Sequence, residues 1–342
     1  MDTTIAPGIV PSARSTFRGE PLLEIRGLRT YFDTESGVAK AVDGVDLEIR
    51  QGEVLGLVGE SGSGKSVTAL SVLRLIPTPP GRIVAGEILF RGKDLLKLSW
   101  EEIRAIRGSD ISMVFQEPMT SLNPVFKIGM QLTEVILAHE RCTYEEAHAR
   151  SVAMLTEVGI PDAAERMKQY PHNLSGGMRQ RVMIAMALLL NPSLVIADEP
   201  TTALDVTIQA QILDLMLELK ARRAGAAILL ITHNLAVVAE TCDRVAVMYG
   251  GKIQEVAPVR ELFSHPLHPY TQGLLGSIPS VEGVKARRLT VIPGTIPDIH
   301  ALPVGCKFVT RCERRFEPCA DTEPPLIEIE PDHLVRCHLY PR

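Results

Sequence analysis

Gly59-Glu60-Ser61-Gly62-Ser63-Gly64-Lys65-Ser66 is the stretch on which the reading of the whole chain turns. It fits the phosphate-binding loop G-x-x-x-x-G-K-[ST] at every defined position. The run before it, Glu53–Val58, is short and apolar, as a buried strand is. The run after it, from Val67 to Ile76, has the apolar content of a helix. Strand, loop and helix in that order give the motif its meaning. The glycines let backbone N–H groups face one point, and the helix behind aims its positive end there. Lys65 adds a full charge for the β- and γ-phosphates, and Ser66 offers a hydroxyl to Mg²⁺. A chance Gly/Ser turn carrying a lysine would require neither flank.

The bulk of the chain narrows the field. At 342 residues it exceeds one typical domain, which predicts a main domain with additions. Its 36 basic and 41 acidic residues give no electrostatic footprint for nucleic acid. The start, Met1 to Pro21, has no apolar core region, so it reads as a loose tail and not as a signal peptide. The longest apolar run, Val182–Leu190, is nine residues. A bilayer needs roughly 20. The protein is therefore expected to be soluble, and any membrane role requires a membrane partner.

Further strands are read at Leu23–Arg26 and Ala41–Ile49, the second with clean alternation. Between them Tyr31 and Phe32 offer an aromatic ring that could stack on a base or sit half-buried in a strand. Gly81–Phe90 with the Arg91-Gly92 turn reads as a hairpin. Ile111–Phe115 is a buried strand ending at Gln116, where a polar side chain can reach a metal or water. Pro118 and Asn123-Pro124 break the chain, and a mostly helical insertion follows from about Val125 to Arg166. Ser175-Gly176-Gly177 then opens a helix. It reads as a second phosphate site or as ordinary N-capping by Ser175; the paired glycines favour the first.

Leu194–Asp198 is an apolar strand that ends in Asp198 and Glu199. Charges at a strand end are costly to bury unless they meet a cation. Asp198 suits Mg²⁺, and Glu199 is placed to polarise an attacking water. Ala203-Leu204-Asp205 precedes a helix, Ile208–Lys220. The last core strand, Ala227–Thr232, delivers His233 to the edge reached by Gln116 and Asp198. Recurring strand-then-helix units predict a parallel α/β sheet with its chemistry at the carboxyl ends.

In this order the motifs resemble the ATP-binding subunits of ABC transporters, over residues 22 to 265. The carriers are Gly59–Ser66, the Gln116 loop, Leu174-Ser175-Gly176-Gly177, Asp198-Glu199, Ala203-Leu204-Asp205 and His233. Met178 stands where the signature more often has Gln. The resemblance implies a P-loop NTPase fold of the ABC type: a parallel core sheet, an antiparallel β subdomain, a helical subdomain at about 120–190 and a C-terminal extension. It implies an ATP site made by Tyr31, Gly59, Glu60, Ser61, Gly62, Ser63, Gly64, Lys65, Ser66 and Val67. Ser175, Gly176, Gly177 and Asp205 would complete the site of a second copy, head to tail. Ser66, Gln116 and Asp198 would hold Mg²⁺. Glu199, His233 and Gln116 would serve hydrolysis.

Gln116–Pro124 and His265–Leu275 further resemble the importer ATPases for oligopeptides and dipeptides, closest to their D-type subunits. That implies two membrane permease subunits, a second and usually paralogous ATPase, an extracytoplasmic peptide-binding protein, and a place on the cytoplasmic face of the membrane. Residues 266–342 would be the extension. It holds Cys306-x5-Cys312-x6-Cys319-x17-Cys337. Four thiolates suit an iron–sulfur cluster or zinc, and they also read as four unliganded cysteines. The resemblance implies a [4Fe–4S] cluster. Cys142 and Cys242 read as packing residues. Two other readings compete: a non-transport ATPase of translation or DNA repair, and a regulatory module sensing iron. One cassette without sustained heptads speaks against the first, and the intact Asp198-Glu199 pair against a passive binder.

Overall fold

The computed structural model describes residues 19–117, 121–200, 206–221, 225–277 and 292–340. The chain divides into two compact units, Met1–Leu96 with Thr232–Arg342, and Lys97–Ile231.

The first unit opens with a long antiparallel pair, β1 (Pro21–Thr34) and β2 (Gly37–Arg50). Both run well past the segments expected from alternation alone. Register shifts between Ile25 and Arg29 bend β1 and let it continue. Next come β3 (Val54–Val58), every residue buried, and α1 (Lys65–Val72). β4 (Gly81–Phe90) pairs with β1 and turns into β5 (Lys93–Asp94). Arg91 and Gly92 in that turn both have positive φ, as a tight hairpin demands. These strands make one sheet in the order β2-β1-β4-β5.

The second unit holds α2 (Trp100–Ile106), β6 (Ile111–Val114), α3 (Ile128–Leu137), α4 (Tyr144–Glu157), α5 (Ala163–Arg166), α6 (Gly176–Leu188), β7 (Leu194–Asp198), α7 (Val206–Ala221) and β8 (Ala227–Ile231). Two helices start where their sequence says. Ser99 with Glu102, and Thr143 with Glu146, form reciprocal capping boxes at α2 and α4. β6, β7 and β8 pair in parallel, and all of β7 and β8 is buried. Strands covered on both faces read as continuous apolar runs.

The chain then returns to the first unit with α8 (Leu235–Thr241), β9 (Arg244–Tyr249), β10 (Lys252–Pro258), α9 (Val259–Ser264), α10 (Pro269–Gly276), β11 (Ile327–Glu330) and β12 (His333–Val335). Ala227–Thr232 was expected as the last core strand; the structure adds β9, parallel to β3. Gly250 and Gly251, both at positive φ, turn β9 back into antiparallel β10. β12 pairs with β10, and β11 with β12, so the sheet in this unit is mixed. Among the described residues no helix is long and apolar enough to cross a membrane.

One buried ion pair ties β9 to the entry of β3. Arg244 Nη1 lies 3.1 Å from Glu53 Oε1, with side chains 6% and 0% exposed. Arg244→Met would strand the Glu53 charge, and a loss of about 3–5 kcal/mol of unfolding free energy is expected from urea midpoints. Replacing both residues by Met is expected to cost clearly less, because no lone charge remains.

Candidate nucleotide site

The phosphate-binding loop lies between β3 and α1. Gly64 enters α1 at φ 105°, and no side chain caps that helix. A methyl group on Gly64 would stand 2.3 Å from the Ala41 carbonyl oxygen. One on Gly59, at φ 152°, would stand 2.1 Å from that of Met248. The loop is thus pressed against the backbone of β2 and β9. Lys65 is buried, and its Nζ donates to the carbonyl oxygens of Gly59 (2.9 Å) and Glu60 (3.0 Å) and to Ser63 Oγ (3.4 Å). Phosphate oxygens can take over as acceptors at that position. Ser66 and Val67 are half-buried, while Ser61 and Gly62 form an exposed rim. Open space surrounds the position of a Gly62 methyl.

Tyr31 sits half-buried on β1, and its hydroxyl donates to Asp43 Oδ1 at 2.6 Å. Burial, reinforced by that bond, pushes the phenol up to about 12. Burial opposes ionisation of Asp43, yet Tyr31 and Lys252 hold its carboxyl below the usual range. Lys40 Nζ stands 5.8 Å from the Tyr31 ring centroid. The neighbouring Phe32 ring packs at Gly81, where a methyl would meet it at 2.8 Å. His233 is exposed, and the N–H of Thr232 before it donates to Leu57 O of β3 at 3.4 Å.

In the second unit Gln116 and Glu199 come together: Gln116 Nε2 donates to Glu199 Oε2 at 3.1 Å. Asp198 closes β7 and is 6% exposed. Glu199 leaves the strand at φ 46°, a conformation uncommon for a side chain of its kind, and its N–H donates to Ile231 O at 2.9 Å. Such local strain gathers at functional sites. Ser175 Oγ accepts from Met178 N–H at 3.3 Å, so it does cap α6. Ser175 and Gly176 are nonetheless exposed, and nothing lies within 4 Å of a methyl placed on Gly176. Asp205 lies outside the described residues.

The cysteine expectation fares differently. Cys306, Cys319 and Cys337 are buried, and Cys312 half-buried. Burial pushes the Cys306 thiol up to about 12 and Cys337 up to about 11, with smaller contributions from the other three cysteines on Cys306. Burial likewise raises Cys312, and the four cysteines lie near enough for Cys312, Cys319 and Cys337 to act on Cys306. Among the described residues, however, no group of three or more His, Cys, Asp or Glu side chains is placed to hold a metal ion. The expected [4Fe–4S] cluster, and zinc in its place, are not supported by this arrangement.

The Pro- and His-rich stretch, which carried no chemistry in sequence, has a physical role. Buried Glu255 accepts from the N–H groups of Leu267 (2.7 Å) and His268 (2.9 Å), and from His333 Nε2 (2.8 Å). His268 Nδ1 caps α10 by accepting from Tyr270 N–H at 3.0 Å. Tyr270 Oη in turn accepts from the backbone N–H of Glu60 at 2.9 Å. Arg311 reaches the Glu60 carboxylate, at 2.6 Å. Lys252 bridges Asp43 to Glu323, 2.7 Å away, and Lys307 stands 3.5 Å from Glu323. No motif spacing marks Arg311, Lys252, Lys307 or Glu323. The one signal was an acidic side chain inside a loop meant for phosphates.

The ABC transporter family matches residues 42–202, and the family described as oligopeptide/dipeptide transporter, C-terminal region, matches residues 254–319. A probable peptide ABC transporter ATP-binding protein of Sinorhizobium fredii is 50% identical over 324 residues, 95% of this chain and 96% of the relative. The oligopeptide transport ATP-binding protein OppD of Bacillus subtilis is 51% identical, over 93% of this chain and 88% of its own. The dipeptide transport ATP-binding protein DppD of the same organism is 49% identical, over 94% and 95%. Among solved structures, a dimeric ATP-binding cassette in a post-hydrolysis state, bound to ADP and Pi, superposes with a TM-score of 0.63. It is 26% identical and covers 70% of this chain and 99% of its own.

Two outcomes follow from this geometry. Gly64→Ala would displace the loop by an ångström or so, and binding of a fluorescent nucleoside triphosphate is expected to weaken on the order of 100-fold. Burial holds His268 down to about 4, against its ordinary 6.5. Below pH 6.5 the unfolded chain takes up a proton that the folded chain refuses. Stability is therefore expected to fall as pH drops from 6.5 towards 4, by at most ~1.4 kcal/mol per pH unit. Urea unfolding at pH 7 and pH 5 checks this, and His268→Gln is expected to flatten the difference.

Proposed function

This chain belongs to the ABC transporter ATP-binding proteins of the oligopeptide/dipeptide type, and on that footing we propose that it hydrolyses ATP to energise peptide import. The observation that carries the reading is identity near one half along almost the whole chain to peptide-transport ATPases, C-terminal region included. The ATP-binding cassette is read as residues 22–265, with its helical part at about 120–190, and the extension as 266–342.

The local geometry fits the chemistry. Lys65 and the uncapped start of α1 would bind the β- and γ-phosphates, and Tyr31 would stack on the base. Mg²⁺, expected for this family, would neutralise charge between the two phosphates; Ser66, Gln116 and Asp198 are the residues suited to hold it. Glu199 would accept a proton from water as its oxygen attacks the γ-phosphorus. The bond to the β–γ bridging oxygen breaks, leaving ADP and inorganic phosphate. Gln116, bonded to Glu199, would keep that carboxylate oriented, and His233 would steady the γ-phosphate and the water.

Two copies, or this chain and a paralogue, would close head to tail. Ser175, Gly176 and Gly177 of one would meet the γ-phosphate held by the other, and the exposed turn at Ser175 supports that role. Membrane permease subunits would receive the motion on the cytoplasmic side, with peptide delivered by an extracytoplasmic binding protein. The absence of a spanning helix among the described residues fits a peripheral subunit.

Glu199→Gln is expected to bind Mg-ATP within about threefold of wild type while steady-state hydrolysis drops by 10²-fold or more, the scale of a lost general base. Phosphate release and nucleotide titration on the same sample decide it. Undiminished turnover would place the activation of water elsewhere.

A further inference from the structure

Glu60 puts a carboxylate inside a loop built to receive a polyphosphate. Its charge has the wrong sign for that ligand. The first unit supplies the missing cation from far along the chain. Arg311 Nη1 donates to Glu60 Oε2 at 2.6 Å and Nη2 to Oε1 at 3.1 Å, a two-pronged pairing that fixes geometry as well as charge. The Arg311 side chain is 5% exposed and that of Glu60 25%.

Arg311 is itself held in place. Its Nε donates to Pro293 O at 3.1 Å, and Nη1 also reaches Tyr249 Oη at 3.4 Å. The guanidinium stands 5.8 Å from the Tyr249 ring centroid and 6.0 Å from that of Phe308. Tyr270 accepts the backbone N–H of the same Glu60. Both the side chain and the main chain of one loop residue are therefore gripped by residues beyond the cassette motifs.

We propose that Arg311 is a positioning residue for the nucleotide: it neutralises Glu60 and braces the first half of the phosphate-binding loop, making nucleotide affinity depend on the C-terminal extension. The inference rests on reading Gly59–Ser66 as the ATP site. It assigns the extension a part in binding ATP that no motif in it announces.

The test is calorimetric titration of the full-length chain with Mg-ATP, with thermal melting followed in parallel. Arg311→Met, which keeps the apolar stem, is expected to weaken binding about tenfold, the scale of one uncompensated charge near the phosphates. Glu60→Gln combined with Arg311→Met is expected to restore affinity to within about threefold of wild type, since the repulsion is gone. A residue that merely held the fold together would not be rescued by Glu60→Gln. Should Arg311→Met not fold, Arg311→Gln carries the same comparison; it removes the charge and keeps a polar donor for the same pocket. Unchanged affinity in the Arg311 variant overturns the proposal, and so does a double variant no tighter than the single one. A wild-type chain that binds no Mg-ATP overturns the ATP reading itself, and is told apart by that control.

Discussion

The phosphate-binding loop exists because two of its residues have no side chain. Gly59 lies against the Met248 carbonyl and Gly64 against the Ala41 carbonyl, with no room for a methyl at either place. That double contact seats the loop on β9 and β2 at once. It leaves α1 to begin without a side-chain cap, and it brings Lys65 over the loop's own carbonyls. The loop leaves β3, and its two close contacts fall on β9 and β2. The buried Arg244–Glu53 pair and the Gly250-Gly251 turn both act on those strands.

What could be read beforehand was what is local. A strand, a glycine-rich turn and a helix stand next to each other in sequence, so Gly59–Ser66 declares itself. The apolar runs of β7 and β8 do the same, because burial on both faces removes alternation. The Gln116–Glu199 bond joins two strand ends that sequence could name but not connect. β9 to β12 were missed because a Gly-Gly turn and short antiparallel strands leave a weak pattern. Arg311 and Glu60 are a pair separated by 251 positions, and no periodicity links such partners. The cysteines are the case that finds no support. Their number suggested a ligand set, but count and spacing do not place four sulfurs around one point, and the described residues hold no such set.

The extension is joined to the nucleotide loop at more than one place. Arg311 and Tyr270 hold Glu60. On the side of Tyr31, Asp43 meets Lys252, and Lys252 meets Glu323 of the extension. Glu255 anchors the turn that presents Tyr270. These are buried or half-buried charges, and each alone adds little net stability. Their effect is on placement: a polar network with its partners in register tolerates few alternative arrangements. The Pro- and His-rich segment thus acts as a bracket for the site, and its composition follows from capping α10 and filling space around Glu255.

Glu199 also constrains how this protein can change. A left-handed backbone suits Asn, Asp or Gly better than a longer residue. The reach of the longer carboxylate to Gln116 acts against that preference. Shortening it would relax the main chain and, on the proposed reading of Glu199 as the water's proton acceptor, silence the water. On that reading an idle copy of this subunit would arise by a single replacement that the backbone does not resist, and in a head-to-tail pair one half would then grip nucleotide without turning it over.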